Sequence, residues 1–418
     1  MNAGSGRDYD VAIVGGGPAG LAAALGAREA GAERILVIDR ETEAGGILNQ
    51  CIHSGFGLHH FKEELTGPEY AERFIHRAIA EKVEILSDSY VLNIDPDLTL
   101  EVLSNSRGNL LIRAGAVVLA MGCRERTRGA IRTPGFRPAG VMTAGLAQKM
   151  VNMLGLLPGR RIAILGSGDI GLIMARRLVL EGCEVVGVYE LQHYSNGLTR
   201  NIVQCLDDFG IPLHLSTTVT FIHGRDRVTG LSLAPVDSRL QPDLERTRDV
   251  ACDTLLLSIG LIPENELSTR LRLHMDAATG GPRVSSTLET SMPGVFACGN
   301  VLHVHDLVDF VSEEALRAGH FAGEVALGHR RPGDNIALRP GNNIASCVPH
   351  SLSPDREQVV YLRVRQPLRD CTLTVGDRYE KHFRIMVPTE MIRLTLAPDI
   401  LDRYFGEGLK IEIQAEEA

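Results

Sequence analysis

One short segment, Gly45-Gly46-Ile47-Leu48-Asn49-Gln50-Cys51-Ile52-His53-Ser54, sets a single cysteine behind a glycine pair and two amides, with an imidazole two residues on. A thiol in this company has three chemistries open to it. It can be a lone thiolate that cycles through a sulfenic acid. It can touch and tune a bound redox ring without changing itself. It can be a small packed filler. His53 reads equally as a group at a ring edge and as an ordinary surface histidine. The eight cysteines, at 51, 123, 183, 205, 252, 298, 347 and 371, form no CxxC and no zinc-type pairing.

Elements that could position such a thiol follow from the glycines. Residues 10–40 run from a short apolar strand into Gly15-Gly16-Gly17-Pro18-Ala19-Gly20, then an alanine-rich helix, then a strand ending at Asp39. The first glycine permits the tight turn, the second lets a pyrophosphate approach the backbone, and the third lets helix and strand pack closely. The helix N-terminus offers N–H groups and a positive dipole end to phosphates. Asp39 lies 19 residues after Gly20, where a carboxylate accepts from ribose hydroxyls. The pattern recurs at Gly166, Gly168 and Gly171, with Glu190 again 19 residues after the third glycine. Two such units imply two nucleotides, or a duplication with one dead copy. Glu190 favours NAD(H) over NADP(H), because a carboxylate repels the extra phosphate; Arg200 softens that preference.

The remaining pattern suggests a split first domain. After the first unit come a helix over 67–81, short strands to 113, and the buried strand 114–122. Near the far end, residues 290–300 form another strand, followed by a helix over 306–327 with Ser312 as a candidate cap. We therefore expect an α/β fold with two Rossmann-like domains: one over 1–150 and 281–335, and one over 151–280 inserted in it. A small β-rich domain is expected over 340–418, from the strand-like runs EQVVYLRVRQ, DCTLTVGD, KHFRIMV and MIRLTLA. RRPGDN and RPGNN read as its linker.

These motifs resemble the two-dinucleotide-binding flavoprotein superfamily of pyridine nucleotide-disulfide oxidoreductases, over about residues 1–330. The resemblance rests on GGGPAG with Asp39, VVLAMG, GSGDIG with Glu190, and PGVFACGN. It implies FAD in the first unit and NAD(P)H in the inserted one. The residues it assigns to the cofactors are Gly15, Gly17, Pro18, Ala19, Gly20, Asp39, Arg40, Gly46, Gln50, Gly122, Gly299 and Asn300, and in the second unit Gly166, Gly168, Gly171 and Glu190. Asn300 stands where the family usually has an aspartate on the ribityl chain. The segments GGILNQCIHSGFGL, AMGCRERTRGA and FACGNVLHVHDLVDFVSEEA look like a narrower subgroup. That subgroup accompanies an FAD-dependent glycerol-3-phosphate-dehydrogenase-like protein and a small cysteine-rich protein. Cys51 looks like the second of the family's cysteine pair, and the first is missing, so a local dithiol is not expected. Cys51 and His53 are the candidate catalytic groups.

The implied function is hydride transfer between NAD(H) and flavin within a multi-component dehydrogenase, with a homo- or hetero-oligomeric assembly. Two rival readings are a stand-alone NADH oxidase or peroxidase using Cys51, and a non-catalytic nucleotide-binding subunit. The tail is expected to dock a partner or a second copy, so that deleting 340–418 leaves FAD bound but breaks assembly. In His303-Val304-His305-Asp306 the imidazoles sit at i and i+2 and can share a face, but no further ligands cluster near them in sequence; no metal is assigned. Arg124 and Arg126 could guide an anionic substrate or partner, but read better as a solvated turn or domain hinge. A net charge of −9 without a basic tract disfavours a nucleic-acid partner. No apolar run is long enough for a membrane span, and scattered cysteines without a secretory leader suggest a reduced, cytoplasmic protein.

Overall fold

The computed structural model describes residues 7–329, 333–334 and 336–415. The linker expected at RRPGDN falls largely outside them, at 330–332 and 335. Two compact units divide the chain. One comprises residues up to Cys123 and from Pro263 onward, and the other runs from Arg124 to Ile262.

In the first unit, β1 (Tyr9–Val14) leads into α1 (Pro18–Glu29) and returns as β2 (Ile35–Ile38). β1 pairs in parallel with β2 on one side and with the strand Gly108–Leu119 on the other. Strands Glu84–Leu86 and Val295–Ala297 extend this parallel sheet at its two ends. The central strands are unbroken apolar runs because both faces are covered: Val11, Ile13, Leu36, Val117 and Leu119 have no exposed surface. Between Ala19 and Ala27, α1 is buried on every side. It lies against the long helix Val308–Ala326 through small residues. A Cβ on Gly319 would meet Ala23 O at 1.8 Å, and one on Gly26 would meet Leu316 O at 2.0 Å. The alanine-rich sequence of α1 is thus a requirement of backbone-close helix packing.

The second unit holds a five-stranded parallel sheet in the order Val141–Thr143, Thr254–Leu257, Arg161–Leu165, Glu184–Tyr189, Leu213–His214. A three-stranded antiparallel sheet, Thr217–His223, Gly230–Pro235 and Arg248–Val250, accompanies it. The compact unit begins and ends earlier than the expected 151–280. Val141–Thr143 pairs with Thr254–Leu257, and Ala147 and Val151 of the following helix join this unit's core. At the other end, Leu267, Leu271 and Leu273 join the first unit's core.

Residues 336–415 form a five-stranded and a three-stranded sheet around their own apolar cluster. Of its strands, Gln358–Val364, Leu368–Val375, Tyr379–Met386 and Ile392–Leu396 match the four runs legible in sequence. Ile336–Pro340, Ile344–Val348 and Gly408–Ala415 lie outside those runs, although Leu409, Ile411 and Ile413 of the last alternate with polar residues as a half-buried strand does. The fold class is as expected: α/β, with two Rossmann-like sheets and a C-terminal β-rich region. No helix among the described residues is long and apolar enough to cross a membrane.

Candidate functional site

The first glycine loop is built by close backbone contact. Gly15 adopts φ 108°, and a Cβ there would fall 2.4 Å from Ala120 O; a Cβ on Gly20 would fall 1.7 Å from Gly15 O. Gly17 is different: its Cβ would meet nothing nearer than Gly46 Cα at 3.9 Å. The second glycine therefore borders open space while the other two are locked. Gly17 is the N-cap of α1 with no side chain capping the helix, Pro18 opens it, and no acidic residue stands in its first turn. Its unsatisfied N–H groups and dipole suit an anion. Gly16 N donates to Asp39 Oδ2, and Glu41 N donates to Oδ1 at 2.8 Å. Burial pushes the Asp39 carboxyl upward, against these two N–H groups that lower it.

Two more segments close on this loop. Gly45 N donates to Gly16 O at 2.8 Å, and a Cβ on Gly46 would lie 2.9 Å from Gly17 Cα. A Cβ on Gly299 would lie 2.8 Å from Ala19 Cβ. Gly15, Gly17, Pro18, Ala19, Gly20, Asp39, Gly46 and Gly299 thus meet in one place, as a dinucleotide cradle requires. An open face above Gly17, an uncapped helix start and an acid at the strand end fit FAD. Arg40 is exposed, Gln50 is buried, and Gly122 takes φ 73° with open space where a Cβ would stand.

Cys51 ends the short 3-10 helix Gly46–Gln50. Its Sγ donates to Ile47 O at 3.3 Å, and its carbonyl accepts from Gly67 N at 2.8 Å. A Cβ on Gly67 would lie 2.8 Å from Cys51 Cβ, so glycine is needed where α2 (Gly67–Ala80) begins. Burial pushes the Cys51 thiol up to about 12, so it is protonated at neutral pH. His53 donates from Nδ1 to Ser54 O at 3.0 Å and lies against Phe56, ring centres 5.0 Å apart. No disulfide joins any of the described cysteines.

The loop from Gly299 to the long helix carries groups that sequence reasoning undervalues. Asn300 Oδ1 accepts from His305 N at 3.0 Å, and its Nδ2 reaches Cys123 Sγ at 3.5 Å. Glu314 has no exposed surface; its Oε1 accepts from Gly299 N at 2.7 Å and its Oε2 faces His303 Nε2 at 2.7 Å. Burial, with His305 alongside, pushes His303 down to about 4, so a neutral ring N–H donates to Glu314. Asp309 accepts from Gly57 N at 3.2 Å and His60 N at 2.8 Å, tying the segment after Cys51 to the helix. Ser312 is not a cap. Leu307 caps the helix, and Ser312 Oγ accepts from Tyr70 Oη at 2.8 Å. Glu314 and Asp309 carry no local signal, and only the chain's return after the inserted unit brings them here; Gly67 is fixed by its contact with Cys51.

The second unit repeats the device with one atom more. Ser167 donates from N at 2.9 Å and from Oγ at 2.7 Å to Glu190 Oε2, and Gln192 N donates to Oε1 at 2.9 Å. Gly166 takes φ 92°, and a Cβ there would fall 2.1 Å from Ser258 O. Gly171 N donates to Ser258 Oγ at 3.1 Å. Gly168 caps the helix Asp169–Leu180, whose acidic first residue is occupied by Leu198 N at 2.8 Å and Asn201 Nδ2 at 2.6 Å. Gly166, Gly168, Gly171 and Glu190 are thus assembled as a second cradle that fits a pyridine dinucleotide.

Known proteins are similar to this chain. The chain is similar to the hydrogen cyanide synthase subunit HcnB of Pseudomonas protegens, 27% identical over 314 residues, or 69% of this chain and 65% of the relative. It is also similar to an opine oxidase subunit of Agrobacterium tumefaciens, 25% identical over 315 residues, or 70% of this chain and 61% of the relative. The chain therefore spans less than two thirds of these relatives' length. Among solved structures, the thioredoxin reductase of T. acidophilum superposes with a TM-score of 0.62 at 22% identity, over 77% of this chain and 99% of that one, which shows the fold. The model of the pyridine nucleotide-disulphide oxidoreductase family matches residues 9–320. The chain belongs to that family, which implies FAD and a pyridine nucleotide.

Proposed function

We propose that the chain passes electrons between NAD(H) and FAD as one subunit of a multi-component oxidase or dehydrogenase. The observation that carries this is at Cys51: one protonated thiol, with no second cysteine in its segment, beside a complete dinucleotide cradle. A local dithiol is absent, so electrons need another exit. The names of the relatives, each a subunit, support a partner protein as that exit.

Flavin and nicotinamide supply the hydride chemistry when bound; the chain binds and orients them. The uncapped start of α1 holds the pyrophosphate by N–H groups and dipole. Asp39, braced by Gly16 and Glu41, presents its remaining lone pairs to a ribose. In the other unit, Glu190 does the same and sets a negative charge against a 2′-phosphate, which favours NAD(H). Partners of the kind the subgroup implies, a dehydrogenase-like subunit and a small cysteine-rich protein, are part of this proposal.

The test is anaerobic mixing of the flavin-loaded protein with NADH and, separately, NADPH, following the flavin band. Bleaching by NADH at a rate roughly tenfold or more above NADPH is expected from a carboxylate facing the discriminating phosphate. No bleaching by either would make the second cradle structural. Steady NADH consumption with peroxide alone, lost on alkylation of Cys51, would instead establish a stand-alone peroxidase.

A further inference from the structure

We propose that His303, His305 and Glu314 form a binding site for a single divalent transition ion of zinc's class. The three side chains are buried, and their ligating atoms lie within 4.8 Å of one another. Two imidazoles and one carboxylate oxygen form a donor set suited to zinc and its neighbours rather than to magnesium or calcium.

Hydrogen bonding fixes which nitrogen is available. His305 Nδ1 lies 3.0 Å from the carbonyl of His303. A carbonyl only accepts, so Nδ1 carries a hydrogen and Nε2 is the nitrogen left to face the carboxylate. That Nε2 is buried with no hydrogen-bond partner, and it stands 3.5 Å from Glu314 Oε2, itself an acceptor. A buried nitrogen left unbonded beside a carboxylate oxygen calls for a cation between the two. The same carboxylate oxygen accepts from His303 Nε2 at 2.7 Å, so that nitrogen ligates an ion once its hydrogen has moved to Nδ1. Tetrahedral zinc with bonds of about 2.0–2.1 Å separates its ligands by roughly 3.4 Å. The observed 2.7 and 3.5 Å bracket that spacing, so small movements seat an ion.

Surrounding groups hold the ligands in this arrangement. Nδ1 of His305 on a backbone carbonyl is the usual outer contact of a metal-bound imidazole. His305 N is held by Asn300 Oδ1, and the second oxygen of Glu314 by Gly299 N. The Tyr361 ring lies across both imidazoles, with ring centres 5.6 and 5.7 Å away. Asp306, next in the loop, is paired with Arg363 and accepts from Met391 N. An ion here ties the loop that carries Gly299 to the helix Val308–Ala326, a structural task rather than a reacting one.

The experiment uses the full chain with FAD. After dialysis against a chelator, zinc is returned and metal is measured per chain following desalting, with His305→Asn in parallel. Asparagine keeps an N–H for the His303 carbonyl and removes Nε2. About one zinc per wild-type chain is expected, bound roughly 100-fold more weakly by the variant. Cobalt in the same site should show d–d bands without a thiolate charge-transfer band. Wild type that retains no stoichiometric zinc, or a variant that binds as tightly, overturns the proposal and leaves the pair bridged by a proton. Should the variant not fold, X-ray absorption of zinc-loaded wild type decides: nitrogen and oxygen neighbours support the site, and sulfur neighbours refute it.

Discussion

At the residue scale, Gly17 and Gly20 separate binding from folding. The Cβ of Gly20→Ala would stand 1.7 Å from Gly15 O, so helix and strand must part, and the variant should not accumulate as folded protein. Gly17 has φ −75° and room for a methyl group. Gly17→Ala should melt within a few degrees of wild type as apo-protein, yet bind FAD at least about tenfold more weakly, because the methyl group occupies the approach to the backbone. Melting curves and FAD titration of the two variants check this. Cys51 yields a second expectation. Its thiol is pushed up to about 12, so below that pH the reactive thiolate is the minor form. Alkylation of Cys51 should therefore quicken about tenfold per pH unit between 8 and 11; a plateau near pH 8, read by mass spectrometry, would mean that the thiolate is the resting form.

At the element scale, α1 and the helix Val308–Ala326 touch backbone to backbone. Gly319→Ala sets its Cβ 1.8 Å from Ala23 O, an overpacking that typically costs about 1–3 kcal/mol. A urea midpoint equal to wild type would show that the helices part freely. Sequence reading reaches α1, its loop and its acid because glycine spacing and apolar runs are local signals. It reaches the strand before Gly299 for the same reason. His303 and His305 are visible as a spaced pair, but the carboxylate beside them in sequence, Asp306, is taken by Arg363. Glu314 lies eleven residues beyond His303 on a helix, and only the packing of that helix beneath the loop brings its carboxylate to the two rings. The boundary of the inserted unit is displaced for a related reason: Val141–Thr143 is too short to announce itself and is fixed by pairing with Thr254–Leu257.

At the scale of the whole molecule, the β-rich region belongs to the compact unit that holds the first cradle. Val284 N donates to His350 Nδ1 at 3.1 Å, His350 N donates back to Val284 O at 2.9 Å, and Arg363 and Arg393 pair with Asp306 and Glu313. The expectation that deleting 340–418 spares FAD binding is therefore revised. The truncated chain should lose FAD affinity together with thermal stability, measured on protein refolded with excess FAD; full retention of the flavin would reinstate an independent tail. Acid should loosen the same junction. The His350 imidazole, its Nε2 3.8 Å away, and the Thr279 N–H hold Asp276 down at about 2, against burial. A folded value below the unfolded 3.8 stabilises the native state above pH 4 and ceases to do so as pH falls through 2. Asp276→Asn should lower the urea midpoint at pH 7, and the gap to wild type should close towards pH 2.

The two acid braces differ by a methylene group in the acid and a hydroxymethyl group in the loop: Asp39 answers Gly16, and Glu190 answers Ser167. A Cβ on Gly16 would come within 2.7 Å of Asp39 Oδ2. Acid and loop residue are therefore a matched pair, and neither can drift alone. Homologous chains should exchange them together, Asp with Gly and Glu with Ser. A transplant that recoded only the acid, to swap one nucleotide preference for the other, would spoil the loop it meant to retune.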